Sequence, residues 1–115
     1  MTTDDQIRQA REIARDCSGL PNIAEARIDD WNDYGYFSMF VYPEKLQGLF
    51  EKTWTGEFKA RTTRGTLTRI QHVIKKAGAY FEWADVPKRV YWEDGGRKRF
   101  DHYDRDNFKI LFRVT

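Results

Sequence analysis

The sequence predicts an α+β fold in which an antiparallel, aromatic-rich sheet of about five to six strands packs against two main helices and one short helix. Two segments carry apolar residues at helical spacing, and several others alternate apolar with polar residues as strands do. Aromatic residues make up 16% of the chain, which indicates a folded core because disordered chains are poor in them. The predicted element order is α-β-β-α-α-β-β-β-β. No repeat or linker interrupts it, so residues 1–115 are expected to form a single domain.

The first helix is predicted from its start signal and its periodicity. Thr3 and Gln6 have the spacing of a capping box, and Gly19 and Pro21 follow where a helix would stop. The apolar residues between them recur on one stripe: Ile7, Ala10, Ile13, Ala14 and Cys17. We expect this stripe to face the core.

Two strands and a short helix are predicted next. A weak strand runs from Asn22 to about Ile28, and residues 29–33 are interpreted as a turn. The segment Tyr36 to Tyr42 is the clearest strand, since it is almost wholly aromatic or β-favouring. Its core face is predicted to carry Phe37, Met39 and Val41, with Tyr36, Ser38, Phe40 and Tyr42 on the other face. A short helix is predicted to begin at Pro43.

The second main helix is predicted from Thr66, as N-cap, to Ala77, with Gly78 closing it. Its buried stripe is expected to comprise Leu67, Ile70, Val73, Ile74 and Ala77. The preceding residues through Gly65 are interpreted as a loop. The predicted start of the helix therefore lies next to a run of basic residues.

The last third of the chain is predicted to be antiparallel β-structure. One strand covers Ala79 to Ala84, and a hairpin of Lys88–Asp94 with Arg97–Tyr103 turns at residues 95–96. The predicted register sets Glu93 opposite Lys98, Tyr91 opposite Phe100, and Trp92 opposite Arg99. Charge and ring pairs of this kind stabilise neighbouring strands. A final strand with one core face is predicted from Phe108 to Val114.

The charges are distributed unevenly along the chain. Residues 1–51 carry a net charge of −5, and residues 52–115 carry +7. This split favours a basic face for an anionic partner, or a dipolar molecule that pairs with another protein or forms a homodimer. Mutual neutralisation of the two halves within the fold is an equally weighted alternative.

Two basic stretches predict contacts to the phosphates of nucleic acid. Arg61 and Arg64 precede the predicted helix start, where backbone N–H groups and the helix dipole favour anions. The hairpin adds cations beside exposed rings, as in proteins that stack bases. The complete predicted anion-binding set is Arg61, Thr62, Arg64, Thr66, Arg69, Lys76, Trp92, Arg97, Lys98 and Arg99.

Two other functions are carried as alternatives. The first is a protein–protein interaction module, an inhibitor or adaptor of a larger protein, for example one that processes nucleic acid, because protein interfaces are enriched in Tyr, Trp and Arg. The second is a metal-dependent nuclease that uses Asp101, Asp104 and Asp106. The sequence favours a non-enzymatic protein with no catalytic residue and no cofactor.

The composition also bears on the expected location. Cys17 is the one cysteine, so no intramolecular disulfide can form. No apolar run approaches the roughly 20 residues of a membrane span, and the polar, acidic start lacks the parts of a signal peptide. We expect a cytoplasmic protein that does not contact a membrane.

Overall fold

The computed structural model describes residues 1–44, 51–52, 58–59 and 61–115, with the backbone alone at 51–52, 58–59 and 61–64. It confirms the α+β class. The elements in chain order are α1 (Asp4–Ser18), β1 (Ile23–Trp31), β2 (Tyr36–Pro43), β3 (Glu51–Lys52), β4 (Phe58–Lys59), α2 (Arg61–Lys76), β5 (Tyr80–Asp85), β6 (Arg89–Asp94), β7 (Arg97–Tyr103) and β8 (Phe108–Arg113).

The main sheet has four antiparallel strands in the order β1-β2-β8-β5. Strands β6 and β7 form a separate two-stranded antiparallel ribbon, and β3 pairs with β4 in a small ladder. Helix α1 packs against β1 and β2, and α2 packs against α1 and β5. In sequence, the ribbon is inserted between β5 and β8, which are neighbours in the main sheet.

The core lies between the main sheet and the two helices. Strand β2 contributes Phe37, Met39 and Val41, all fully buried as the alternation predicts. The other fully buried large residues are Ile13 from α1, Ile70 and Ile74 from α2, Phe108, Ile110 and Phe112 from β8, and Val114. The stacked rings of Phe37 and Phe112, with centroids 5.7 Å apart, join the two central strands. Ring and branched aliphatic side chains therefore fill this core.

The turn between β1 and β2 is held against the end of β8. Gly35 has a φ of +83°, and a Cβ at this position would lie 2.4 Å from the carbonyl oxygen of Val114. The Val114 N–H donates to the Gly35 carbonyl at 2.9 Å, and the Gln6 side-chain amide donates to the Val114 carbonyl at 3.1 Å. Only glycine fits this close, left-handed position without strain.

The capping box at the start of α1 is confirmed. The Thr3 hydroxyl accepts from the Gln6 N–H at 3.2 Å, and the Gln6 side chain accepts from the Thr3 N–H at 2.9 Å. The hairpin register is confirmed as well, with Glu93 opposite Lys98 and Trp92 opposite Arg99. These features were predictable because the sequence signal and the interaction are both local.

The predicted start of α2 was wrong. The helix begins at Arg61, so Gly65 and Thr66 lie within it, and Thr66 is not its N-cap. Thr66, Ile70 and Ile74 are spaced at i, i+4 and i+8, and all three are buried. Thr66 thus belongs to the buried stripe of the helix, which explains why the helix continues through the glycine before it.

Three further predictions are corrected or lie outside the described residues. Residues 29–31 belong to β1 and not to a turn, because a bulge at Asp29 lets the strand stay paired with β2 as far as Trp31. The strands do not form one sheet of five or six, because β6 and β7 pair with each other and not with the four strands of the main sheet. Pro43 ends β2, and the rest of the predicted short helix lies outside the described residues.

Candidate nucleic-acid interface

The ribbon exposes both of its faces. It turns at Gly95 and Gly96, whose φ values of +57° and +82° suit the two-residue turns that favour glycine in hairpins. Every residue from Tyr91 to His102 is exposed. An isolated two-stranded hairpin is only marginally stable in water, so an exposed ribbon of this length is suited to contact a partner.

Polar contacts hold the base of the ribbon in place. The Lys88 N–H donates to an Asp104 carboxylate oxygen at 2.8 Å, and the Asp104 N–H donates to the Lys88 carbonyl at 3.0 Å. Arg105, three-quarters buried, forms an ion pair with Asp85 at the end of β5 and donates to the Asn107 side chain at 3.2 Å. The Lys88 and Asp104 contacts join the two ends of the ribbon to each other, and the Arg105–Asp85 pair ties its base to β5 of the main sheet.

One face of the ribbon is mainly aromatic. The rings of Tyr91 and Phe100 meet edge to face at 6.4 Å, and those of Phe100 and Tyr103 at 5.1 Å. Arg89 donates to the Tyr91 hydroxyl at 3.3 Å. Burial raises the pKa of the Tyr103 hydroxyl, and the positive charge of Arg89 opposes that shift. This row of rings runs from the body towards the tip.

The other face carries Trp92 and most of the charge at the tip. Trp92 is 48% exposed and lies opposite Arg99 in the register. Arg99 forms an ion pair with Asp94 at 3.3 Å. Arg97 lies opposite Asp94 on the same face, and Lys98 lies opposite Glu93 on the aromatic face. The Trp92 face of the tip therefore presents Arg97 and Arg99 beside an exposed indole, and Lys98 lies on the aromatic face.

The predicted residues of α2 lie on a different element from the ribbon. The backbone of Arg61, Thr62 and Arg64 is helical, and their side chains lie outside the described residues. Thr66 is 1% exposed, so its hydroxyl cannot reach an anion at the surface. Arg69 is exposed on the helix. Among the described side chains of the predicted set, Trp92, Arg97, Lys98 and Arg99 share the ribbon, and Thr66, Arg69 and Lys76 share α2.

Lys76 faces an acidic part of the molecule. It lines a groove of about 830 Å³ between α1 and α2. The same groove is lined by Asp5, Glu12 and Asp16 from α1, together with His72 from α2. The groove therefore combines carboxylates with cations of both helices, Arg8 among them, and Arg8 forms an ion pair with Asp5.

The open face of the main sheet was not predicted as a site. At the end of β8, the Arg113 guanidinium carbon lies 5.7 Å from the Tyr36 ring centroid and 5.3 Å from that of Tyr80. Tyr80 and Trp83 are about half exposed on the same face. The signal for this surface was present, because Tyr36 and Arg113 occupy the non-core positions of two alternating strands.

The acidic residues considered for a metal site make other contacts. Asp101 lies 3.0 Å from the His102 imidazole, and Asp104 accepts from the backbone of Lys88. Among the described residues, no group of three or more His, Cys, Asp or Glu side chains is arranged to hold a metal ion. The nuclease alternative gains no support from this geometry.

No model of a known protein family matches this chain, and no curated protein matches it significantly. Its function must therefore be argued from its own residues. In the part of the chain that the structure describes, neither helix combines the length and apolar character required to cross a membrane.

Proposed function

We propose that this protein is a small non-enzymatic binding protein that contacts nucleic acid through the ribbon of β6 and β7. The observation that carries the proposal is the exposure of every residue from Tyr91 to His102, with Arg97 and Arg99 on the face of Trp92 and Lys98 on the aromatic face. Arginine and lysine bind phosphates, and exposed rings stack on bases without strong sequence preference. The ribbon supplies both kinds of contact within one element.

The dimensions of the ribbon also support this proposal. A two-stranded ribbon is narrow enough to enter the major groove of duplex DNA, and its rings can equally stack on unpaired bases. The contacts at Lys88, Asp104 and Arg105 orient it before any ligand arrives, which lowers the entropic cost of binding. The α2 cations of the predicted set stay a predicted second contact with nucleic acid: Arg61, Arg64, Arg69 and Lys76. The proposed location is the cytoplasm, where a lone buried cysteine suits reducing conditions.

Fluorescence anisotropy with labelled single-stranded DNA, duplex DNA and RNA, across a salt series, tests the proposal. We expect binding at low salt that weakens steeply as salt rises, because released counterions supply most of the free energy. Replacing Arg97, Lys98 and Arg99 with Gln should weaken binding about tenfold or more and reduce the slope of log K against log salt by about 2–3.

The matched control removes three cations from another surface. Arg8, Arg11 and Arg15 are exposed on α1, and their replacement with Gln should leave the affinity within about twofold of the wild type if binding is local to the ribbon. Absence of binding to all three ligands at low salt contradicts the proposal. Equal losses in the two triple variants also contradict it, because the ribbon would then have no special role.

A second candidate is docking on a larger protein, and the open face of the main sheet favours it. Arg113 lies between the rings of Tyr36 and Tyr80 there, and Trp83 is exposed on the same face. Tyr, Trp and Arg are the residues most enriched in the energetic centres of protein interfaces. Affinity purification before and after nuclease treatment separates the candidates. A stoichiometric protein that survives nuclease and is lost on Trp83→Ala supports docking, whereas a partner lost on nuclease treatment supports nucleic-acid binding.

A further inference from the structure

The main sheet and the ribbon have four described edge strands, β1, β5, β6 and β7, and of these only β6 has no bulge. Strand β1 has extra residues at Ala24 and Asp29, β5 has one at Glu82, and β7 has one at Asp101, each without a partner in the register. Bulges of this kind prevent an edge from pairing with another chain. Among the described residues of these two sheets, β6 therefore has the edge best suited to accept a further strand.

The charges of β6 and the residue before it are self-complementary. The segment begins with two cations, continues with three apolar or aromatic residues and ends with two carboxylates: Lys88, Arg89, Val90, Tyr91, Trp92, Glu93 and Asp94. In an antiparallel pair centred on Tyr91, Lys88 lies opposite Asp94 of the second copy, and Arg89 lies opposite Glu93 of the second copy. A shift of two residues in either direction removes both pairs, so the charges select one register.

The backbone of β6 is oriented for the same register. Residues that flank a two-residue turn exchange hydrogen bonds, and bonded and non-bonded pairs alternate along the strands. Asp94 and Arg97 flank the turn, so Tyr91, opposite Phe100, belongs to a non-bonded pair within the ribbon. Its N–H and C=O groups therefore point away from β7. A symmetric pair centred on Tyr91 uses these outward groups.

We propose that the protein forms a two-fold symmetric dimer in which two β6 strands pair in antiparallel fashion about Tyr91. The two ribbons then become one four-stranded sheet, and a sheet of three or more strands is far more stable than an isolated hairpin. The two Tyr91 rings meet at the symmetry axis, and Val90 lies opposite Trp92 of the second copy. Rings that are about half exposed in the single chain lose contact with water.

The dimer leaves the proposed phosphate contacts of β7 free, while Trp92 of β6 lies beside Val90 of the second copy. Pairing uses the β6 edge, so Arg97, Lys98 and Arg99 on β7 stay on the outer edges of the joined sheet. The inference does not depend on the proposed function. Self-association is measured without nucleic acid, so either result can fail while the other holds.

Light scattering coupled to size exclusion, over a range of protein concentrations, measures the state of association. The wild type should reach twice the chain mass of 13.7 kDa. Arg89→Glu or Glu93→Arg alone places like charges opposite one another at two symmetric positions, and should weaken the dimer about tenfold or more. The double variant Arg89→Glu with Glu93→Arg restores both pairs and should restore the dimer.

Lys98→Glu is the matched control, because it removes the charge pair with Glu93 inside the ribbon without touching the β6 edge. It should dimerise like the wild type. Circular dichroism checks that each variant is folded; if Arg89→Glu is not, the same exchange at Lys88 and Asp94 replaces it. A wild type that stays at the chain mass overturns the proposal. So does a double variant that stays monomeric, or a Lys98→Glu variant that dissociates as Glu93→Arg does.

Discussion

At the scale of single residues, burial decides what a reactive group can do. Cys17 lies in the core on the inner side of α1, as its place on the apolar stripe predicted. Burial, and to a smaller degree the negative charge of Asp16, raises the pKa of its thiol to about 12. The thiolate is the reactive form, so Cys17 serves as a small core residue and not as a nucleophile.

The native protein should therefore resist thiol reagents. We expect Cys17 to react with an aromatic disulfide at neutral pH about a thousandfold more slowly in the folded chain than in urea, because a pKa three units higher lowers the thiolate fraction by that factor. Stopped-flow absorbance measures both rates. Equal rates with and without urea would show that the thiol is accessible, contrary to its place in the core.

The same thiol links stability to pH. Its folded pKa lies above its unfolded value of about 9, so its contribution is fully present below pH 9 and is lost as the pH rises towards 12. The free energy of unfolding should fall more steeply over this range in the wild type than in Cys17→Ala. Urea denaturation at several pH values compares the two slopes, and identical slopes would contradict the shift.

At the scale of elements, α2 shows where local sequence signals mislead. A threonine after a glycine is the ordinary sign of an N-cap, and Thr66 was interpreted that way. The chain instead forms helix from Arg61, and Thr66 occupies the buried stripe with Ile70 and Ile74. Periodicity alone could not separate these readings, because the first turn of the helix contains no apolar residue to extend the stripe.

Replacement of Thr66 tests this position. Its hydroxyl is buried with no hydrogen-bond partner among the described residues. Thr66→Val keeps the shape and removes an unsatisfied polar group, so the free energy of unfolding should stay equal or rise by up to about 1 kcal/mol. Thr3→Val, at the genuine N-cap of α1, should lower it by about 1 kcal/mol. Urea denaturation measures the free energy of unfolding of both variants. A loss of stability in Thr66→Val as large as that in Thr3→Val would indicate that Thr66 caps a helix.

The ribbon is the opposite case, because most of its structure could be predicted. Residues 95–96 specify a tight turn, and the pairs of Glu93 with Lys98 and of Tyr91 with Phe100 specify the register. Its separation from the main sheet was not predictable from alternation, which identifies strands but not their neighbours. That separation exposes both faces and so makes the ribbon the candidate site.

At the scale of the whole molecule, the uneven charge is only partly converted into a basic surface. The sequence showed +7 in residues 52–115 but could not show which cations share a face. In the fold, Lys76 lines a groove that carboxylates of α1 also line, and the ribbon tip carries Arg97 and Arg99 on one face and Lys98 on the other. Of the predicted nucleic-acid set, the ribbon members, Arg69 and Lys76 are exposed, and Thr66 is buried.

The molecule is also elongated, with principal extents of 56 × 23 × 19 Å and a radius of gyration of 16.2 Å. A compact chain of this length would have a radius of about 13 Å. An exposed ribbon accounts for such a shape, because its residues add length without adding to the core. A partner can therefore contact the ribbon on both faces without approaching the helices.

The most direct test is a two-dimensional NMR titration of ¹⁵N-labelled protein with a short oligonucleotide at low salt. The largest amide shift changes should fall on residues 91–102, and these changes should disappear when salt is added. Shift changes confined to the helices or to the main sheet, with the ribbon signals unmoved, would contradict the claim that the ribbon is the nucleic-acid contact.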